Sequence, residues 1–405
     1  MLGFFSKKET QTESEIGGKT LSCFSCGLYK DVISPKMQPQ GKFKQGILNI
    51  GDFPSKQDDV KGSFFQGLAG DLLEHTYAKM GVDLWEDCLN INALLCHPLS
   101  ENEHKTRLPS AFELDCCRIN VMNIINQYKP KVIVLLGGYA VRSVIGNRWK
   151  RDLGEINKWR GWQIPDQTLG TWVCPTFNPL FVLDNKNEAV QTVWEQDIKK
   201  AVKKAYEPFP AYEEPIVHII DDLQVLSEIP PRSFVTFDYE TTGLKPYADG
   251  HKIICASVGI NEKEAYAFMM PEDKKQLKYF TNFLKNKNIK KGAHNLKFEE
   301  MWSYHCLGTR VKSWDWDGML SAHIIDNRSG VTGLKFQTYV NFGQIDYSSE
   351  VDQWLRAADG KDANSKNTVE ELVKTPKGRN TLLTYCGQDS VFEYRLALKQ
   401  KEQYV

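Results

Sequence analysis

Apolar and polar positions along the chain fall into two alternating series separated by a proline-rich acidic break. In the first series residues 47–51 form a short apolar run of strand length, and residues 68–80 repeat with the period of a helix. Residues 89–95 read as a strand, residues 112–128 predict a long helix, and residues 131–137 are apolar as a strand buried on both faces must be. Another helix is predicted from Tyr139, and the series closes on a charged helix at 190–206. Such alternation predicts a mainly parallel sheet covered by helices. Residues 207–215 hold three prolines (Pro208, Pro210, Pro215) and three acids (Glu207, Glu213, Glu214), which predicts an extended linker. Beyond it, strands predicted at 216–220, 233–238, 253–260 and 265–269 precede a helix at 274–287 and a strand entering His294. Consecutive strands before the first long helix predict a mixed sheet. The expected fold class is therefore α/β in two domains: a tail over 1–20, a first domain over 21–206, a linker over 207–215 and a second domain over 216–405.

Composition narrows the class. A chain of 405 residues with 41% hydrophobic and 25% charged residues is neither disordered nor able to rely on one core. Its 51 basic residues balance 51 acidic ones, which excludes a strongly cationic, non-specific nucleic-acid binder while leaving room for a local basic groove. No run approaches the roughly 18 apolar residues of a membrane helix, so no membrane partner is expected. The N-terminus puts its apolar residues before its charges, the reverse of a secretory signal. Ten cysteines without such a signal point to a reducing cytoplasm, where thiols are buried, metal-bound or catalytic.

Chemistry concentrates first in the second series. Asp238 and Glu240 stand two residues apart on a predicted strand end, hence on one face, just before Gly243. Two carboxylates held together repel unless a cation lies between them, which favours a divalent-metal site over a solvated strand end. Asn295 and Glu299 open a predicted helix, and Tyr385 and Asp389 sit at helical spacing on one face.

Three separated segments supplying four acids and a tyrosine resemble the proofreading 3′–5′ exonuclease domain of family A DNA polymerases, the DEDD class with a tyrosine in its third motif. The resemblance covers about residues 214–400 and includes Trp316, Asp317 and His323, then Thr332 to Val340, in phrases like those of the phage branch. It implies an RNase H-like fold and two-metal phosphodiester hydrolysis with Mg2+ or Mn2+. In it Asp238 would bridge the metals, and Glu240 and Asp389 would complete the site for the attacking water. Tyr385 would orient that water, and Glu299, where many bacterial members have Asp, would hold the second metal through water. Leu244 would wedge against terminal bases, Asn295 would bond substrate or support the site, and Asp317 would be a structural acid nearby.

The first series carries Cys23 and Cys26 in a CxxC of loop-like sequence, Cys96 just past a predicted strand, and Cys116 and Cys117 at a helix start. Thiolates from three segments can close a four-sulfur site for zinc or an iron–sulfur cluster. Neighbouring helical residues diverge by about 100°, so only one of Cys116 and Cys117 is expected to face it. Cys88, Cys174, Cys255, Cys306 and Cys386 lack such spacing and are expected to be buried small apolar residues, and His97 to be packed locally.

Around those cysteines, Gly51 to Ser55, Asp58, Lys61 to Gly70, Pro130 to Gly137 and Pro175 to Pro179 resemble the iron–sulfur uracil-DNA glycosylases over about residues 18–205. That resemblance implies a 4Fe-4S cluster on Cys23, Cys26, Cys96 and Cys117, the last chosen because Arg118 follows it, with zinc as the alternative. It also implies that Phe65 stacks on an extruded base, Asn92 bonds it, and Asp52 or Asp58 orients water. Two departures matter: Gly51-Asp52-Phe53-Pro54-Ser55 stands where the family usually has Gly-Glu-Ala-Pro-Gly, with added bulk at Phe53 and Ser55, and Asn178 replaces a histidine expected to stabilise departing uracil.

Together the resemblances imply the N-terminal part, or a separate subunit, of a phage replicative family A DNA polymerase. Its partners would be DNA 3′ ends and a polymerase chain or a missing C-terminal polymerase domain, in a host cytoplasm. A DEDD ribonuclease, an active uracil-DNA glycosylase fused to an exonuclease, and a non-catalytic DNA-binding clamp are the alternatives.

Overall fold

A computed structural model of the chain describes residues 15–16, 19–99, 106–357, 359–360, 362 and 364–404. The chain divides into two compact units, Met1–Pro210 and Ala211–Val405. Of the tail expected over 1–20, the two-residue strands β1 (Glu15–Ile16) and β2 (Lys19–Thr20) pair antiparallel, and the remainder lies outside the described residues.

The first unit runs α1 (Cys23–Cys26), β3 (Ile47–Gly51), α2 (Lys56–Lys61), α3 (Leu68–Ala78), β4 (Cys88–Asn92), α4 (Ala111–Tyr128), β5 (Val132–Leu136) and α5 (Gly138–Val144). It continues with α6 (Ile156–Trp159), β6 (Ile164–Asp166), β7 (Thr171–Thr176), α7 (Pro179–Asn185) and α8 (Glu188–Lys204). Its five-stranded sheet has the order β4-β3-β5-β7-β6, parallel except for β6. Every residue of β3, β4 and β5 is buried, as their apolar runs require of strands covered on both faces. The polar exceptions in these strands satisfy one another: Asn49 donates to Asn90 at 2.9 Å and accepts from the Tyr77 hydroxyl at 2.6 Å.

Two local expectations change. The strand read over 89–95 ends at Asn92, because the amides of Ala93 and Leu94 turn back to the carbonyls of Gly51 and Asp52. The CxxC is not a loop but one helical turn, capped by Ser22 and stopped by Gly27 at φ +74°.

The second unit runs β8 (Ile216–Ile219), β9 (Phe234–Thr241), β10 (Ile253–Gly259), β11 (Glu264–Met269), α9 (Lys274–Lys285), β12 (Lys290–Ala293), α10 (Leu296–Leu307) and β13 (Trp314–Asp317). Five helices follow: α11 (Gly318–Ile325), α12 (Leu334–Phe342), α13 (Ser349–Leu355), α14 (Val369–Leu372) and the 28-residue α15 (Pro376–Gln403). The sheet is mixed, in the order β13-β12-β9-β10-β11-β8, with an antiparallel β9-β10-β11 meander and parallel pairs outside it. One face packs on Trp302, Phe280, Phe283 and Leu284.

The opposite face carries α15, and polar contacts seat it. Thr236 Oγ1 donates to the Ser390 carbonyl at 2.6 Å and Ser257 Oγ to the Cys386 carbonyl at 2.7 Å. Gly259 permits the approach, since a Cβ there would lie 2.7 Å from the Ser390 carbonyl oxygen. No helix among the described residues is long and apolar enough to cross a membrane, and the ten cysteines are all free.

Candidate functional site

In the second unit the strand pleat and the helix turn converge on one group of acids. Asp238 and Glu240 leave β9 opposite Ser257 and Cys255 of β10, on the side where α15 lies. From α15 come Tyr385 and Asp389, 8% and 6% exposed, and from the first turn of α10 comes Glu299, 2% exposed. Asp238 is pushed well above the ordinary carboxyl range by burial and by the neighbouring Asp389. Glu240 is raised by burial and Asp238, and Glu299 by burial and Asp238 again. Burial and the charge of neighbouring acids thus both oppose ionisation here. Glu299 Oε2 is buried with no hydrogen-bond partner. Hard oxygen donors crowded together, one of them orphaned, are a set that fits divalent cations.

Several neighbours of this group carried no assigned role in the sequence. Lys335 of α12 forms an ion pair with Asp389 and stands 3.9 Å and 4.1 Å from the ring centres of Tyr347 and Tyr385. Tyr347 donates its hydroxyl to Asp389 at 2.6 Å. Cys386 points its thiol at Asp238 and Ser257, so that one ligand atom each from Asp238, Glu240 and Cys386 lies within 4.8 Å of the others. Glu393, four residues beyond Asp389, holds His294 Nδ1 at 3.1 Å, and His294 Nε2 donates to the Thr332 carbonyl at 2.8 Å. Helical spacing from Asp389 could have drawn attention to Glu393. Nothing local marks Tyr347, which comes from the connection between α12 and α13.

Asn295 takes the left-handed conformation at φ 76°, and Asp317 fixes it by accepting from the amides of Asn295 and Leu296 at 3.2 and 3.1 Å. The same carboxylate caps α11 through Met319 and Leu320. Asp317 thereby sets where α10, and hence Glu299, begins. Leu244 projects from the turn after β9 at 61% exposure.

In the first unit the sulfurs gather from α1, the turn after β4, and α4. Leu95 donates its amide to Cys117 Sγ at 3.4 Å and Lys36 its amide to Cys96 Sγ at 3.2 Å. The Asn120 amide reaches Cys23 at 3.7 Å and Cys117 at 3.9 Å. Burial raises the thiols, Cys26 and Cys96 each to about 11, with Cys23 adding to both. Amide donors aimed at sulfur stabilise thiolate character, and the Asn120 amide is shared by Cys23 and Cys117. Among the described residues no three of these sulfurs lie within 4.8 Å of one another. Of the remaining cysteines, Cys88, Cys174, Cys255 and Cys386 are buried, whereas Cys306 is exposed, a correction explained by its place near the end of α10. His97 is buried, its Nδ1 2.7 Å from the Pro54 carbonyl.

Beside the sulfurs a small cradle forms over Gly51. A Cβ at Gly51 would strike Asn92 Oδ1 and come within 2.9 Å of the Phe65 ring, so that side chain and ring meet over bare backbone. Phe65 itself sits at φ +54°. The two candidate acids are occupied. Asp52 accepts from the amides of Tyr139 and Ala140, at 2.8 and 3.1 Å, at the start of α5, and from Asn178 Nδ2 at 3.0 Å. Asp58 closes a capping box with Ser55 and accepts from the Gln66 amide at 2.7 Å.

Residues 38–199 match the sequence family described as the uracil DNA glycosylase superfamily, and residues 217–403 match the 3′-5′ exonuclease family of DNA polymerase A. The chain therefore carries a uracil-DNA glycosylase superfamily domain followed by a 3′–5′ exonuclease domain, and is a nuclease in its second half. The first half is similar to the type-4 uracil-DNA glycosylase of Thermotoga maritima, 27% identical over 46% of this chain and 91% of that protein. It is likewise 27% identical to the type-4 enzyme of Archaeoglobus fulgidus, over 36% of this chain and 74% of that one. Among solved structures there is a distant likeness to Brucella melitensis NrnC with bound Mg2+, at 16% identity and a TM-score of 0.33 over 47% of this chain and 81% of that chain. Another is to the POL domain of Pol1 from M. smegmatis in complex with DNA primer-template and dNTP, at 10% identity and a TM-score of 0.30 over 46% and 26%.

Burial lifts Asp52 from its ordinary 3.8 to about 6, against the pull of its three donors. The folded state thus holds that proton more tightly than the unfolded one. Asp52 therefore favours folding most below its unfolded pKa, and that contribution is lost as the pH rises from about 4 to about 6, by up to ~3 kcal/mol. In urea titrations Asp52→Asn should gain on the wild type by up to that amount between about pH 4 and pH 7; an unchanged difference would show that Asp52 is not held this way.

Proposed function

We propose that the second domain is the proofreading 3′–5′ exonuclease of a replicative family A DNA polymerase of phage type, acting on DNA 3′ ends. The polymerase itself would be a partner chain or a further part of the same one, and the setting a host cytoplasm. What carries this reading is the group of half-buried Asp238 and buried Glu240, Glu299 and Asp389, with Tyr385 on the helix turn beside it. Those four acids would hold two divalent ions, Mg2+ or Mn2+, whose chemistry is to activate water and to stabilise charge on the leaving 3′ oxygen.

The chain's own groups do the remaining work. Tyr385 offers a phenol to align the attacking water, its ring held by Lys335. Lys335 and the Tyr347 hydroxyl fix the Asp389 carboxylate, so the fourth acid is oriented before substrate arrives. Asp317 and the left-handed Asn295 set the register of α10 that delivers Glu299, and the Asn295 amide can meet the strand. Leu244, exposed on its turn, is placed to wedge against the terminal bases.

For the first domain we infer a 4Fe-4S cluster on Cys23, Cys26, Cys96 and Cys117. The support is the gathering of thiols from three segments with amides aimed at them, and the likeness to type-4 uracil-DNA glycosylases. The domain would hold DNA and read an extruded base over Gly51 with Phe65 and Asn92, without excising it. Both oxygens of Asp52 are engaged by α5 and Asn178, which leaves no carboxylate free to direct water.

Three outcomes test these readings. Asp238→Ala should lower Mg2+-dependent release of 3′ mononucleotides from DNA by at least ~10³-fold, since it removes the ligand shared by both ions; activity within tenfold of wild type would sink the assignment. Protein purified without air should be brown and carry about four irons per chain, and a colourless, zinc-loaded protein would overturn the cluster. Uracil-containing DNA should gain no abasic sites on incubation, and efficient excision would show the first domain to be a working glycosylase.

A further inference from the structure

Cys386 follows Tyr385 on α15, fully buried against the sheet, and takes no part in the hydrolysis proposed above. Its sulfur lies 3.7 Å from Asp238 Oδ2 and 3.3 Å from Ser257 Oγ, and one ligand atom each from Asp238, Glu240 and Cys386 fits within 4.8 Å. Alanine or serine would fill the same space. What sulfur adds is a soft, polarisable donor among hard ones.

The spacing is that of a coordination shell. Zinc binds thiolate at about 2.3 Å and carboxylate at about 2.0–2.2 Å, so two such donors at the tetrahedral angle stand about 3.6 Å apart. The 3.7 Å between Cys386 Sγ and Asp238 Oδ2 matches that edge. Glu240 offers a third donor within reach, and Glu299, close enough to feel the Asp238 charge, adds Oε2, which is buried without a hydrogen-bond partner. A second thiol, Cys255, stands opposite Glu240 in the β9–β10 register and is hydrogen-bonded to Cys386.

Sulfur also decides which cation this set prefers. A thiophilic dication displaces the thiol proton to solvent as the metal–sulfur bond forms, and thiolate and carboxylates then meet its two charges. Mg2+ takes oxygen donors at octahedral angles and gains nothing from sulfur, so it leaves that proton in place.

We propose that Cys386, Asp238 and Glu240 form a site for a thiophilic divalent cation such as Zn2+, overlapping the place where the acids would hold Mg2+. A cation seated there draws Asp238 and Glu240 to the sulfur and withholds them from the hydrolytic metal pair, so it shuts the exonuclease. The inference rests on the reading of these acids as the exonuclease metal site.

The test titrates the full chain, purified without air, with Cd2+ and follows the ultraviolet charge-transfer absorption of cadmium–thiolate bonds. Wild type and Cys306→Ser, which alters an exposed thiol elsewhere, should each show the absorption of about one Cd2+ more per chain than Cys386→Ser. That increment alone should weaken as Mg2+ is raised, because the two ions share Asp238 and Glu240. With Mg2+ present, the Zn2+ concentration that halves mononucleotide release, each protein taken against its own zinc-free rate, should rise at least ~100-fold in Cys386→Ser. Serine is close in size to cysteine, and the Mg2+-sensitive increment is read in the wild type by itself, so the result does not hang on one variant. Absorption equal in wild type and Cys386→Ser, or indifferent to Mg2+, overturns the site. A chain that shows the Mg2+-sensitive increment yet releases no mononucleotides in Mg2+ alone upholds the cation site and overturns the exonuclease reading instead.

Discussion

The second domain depends on one contact, the seating of α15 across β9 and β10. Thr236 and Ser257 hold the carbonyls of Ser390 and Cys386, and Gly259 clears the space for the approach. With the helix fixed there, Asp389 and Tyr385 are brought over Asp238 and Glu240, and like charges are confined where water screens them poorly. Confinement of this kind opposes folding, and the protein offsets part of it with Lys335, whose ammonium pairs with Asp389 between two phenol rings. The remainder, including the unpartnered Glu299 oxygen, leaves buried carboxylate oxygens of the kind that divalent cations bind.

The first domain reaches a comparable state with sulfur. Thiols from a helical turn, a strand end and a long helix converge, half-buried at Cys23 and Cys26 and buried at Cys96 and Cys117, and burial raises the proton affinity of Cys26, Cys96 and Cys117. Amides of Lys36, Leu95 and Asn120 supply the donors that a bound thiolate needs. Soft sulfur donors in one domain and hard carboxylate donors in the other suit different cations.

Over Gly51 the first domain keeps bare backbone between two side chains from distant segments. Asn92 and Phe65 meet there because parallel pairing sets Gly51 directly beside Asn92 and glycine leaves the space open. Asp52, one residue on, is turned away to hold the start of α5 and the Asn178 amide. The side chains that meet over Gly51 and the carboxylate that holds the start of α5 are thus separate groups.

Much of this was legible in the sequence. The two alternating series, the mixed second sheet, the spacing of Asp238 with Glu240 and of Tyr385 with Asp389, and the CxxC follow from local periodicity, which acts over a few residues and is written in order along the chain. The helical turn at Cys23, the early end of β4 and the exposure of Cys306 escaped it, because caps, returning amides and helix faces settle them. The sequence by itself determined the order of the elements and the spacings that set Asp238 beside Glu240 and Tyr385 beside Asp389. Only the tertiary structure decided that Lys335 and Tyr347, 54 and 42 residues from Asp389, would grip that acid, and that Asp52 would be engaged by Asn178 from 126 residues away. Side-chain partners so distant in the chain are chosen by packing, and packing leaves no periodic trace in a sequence.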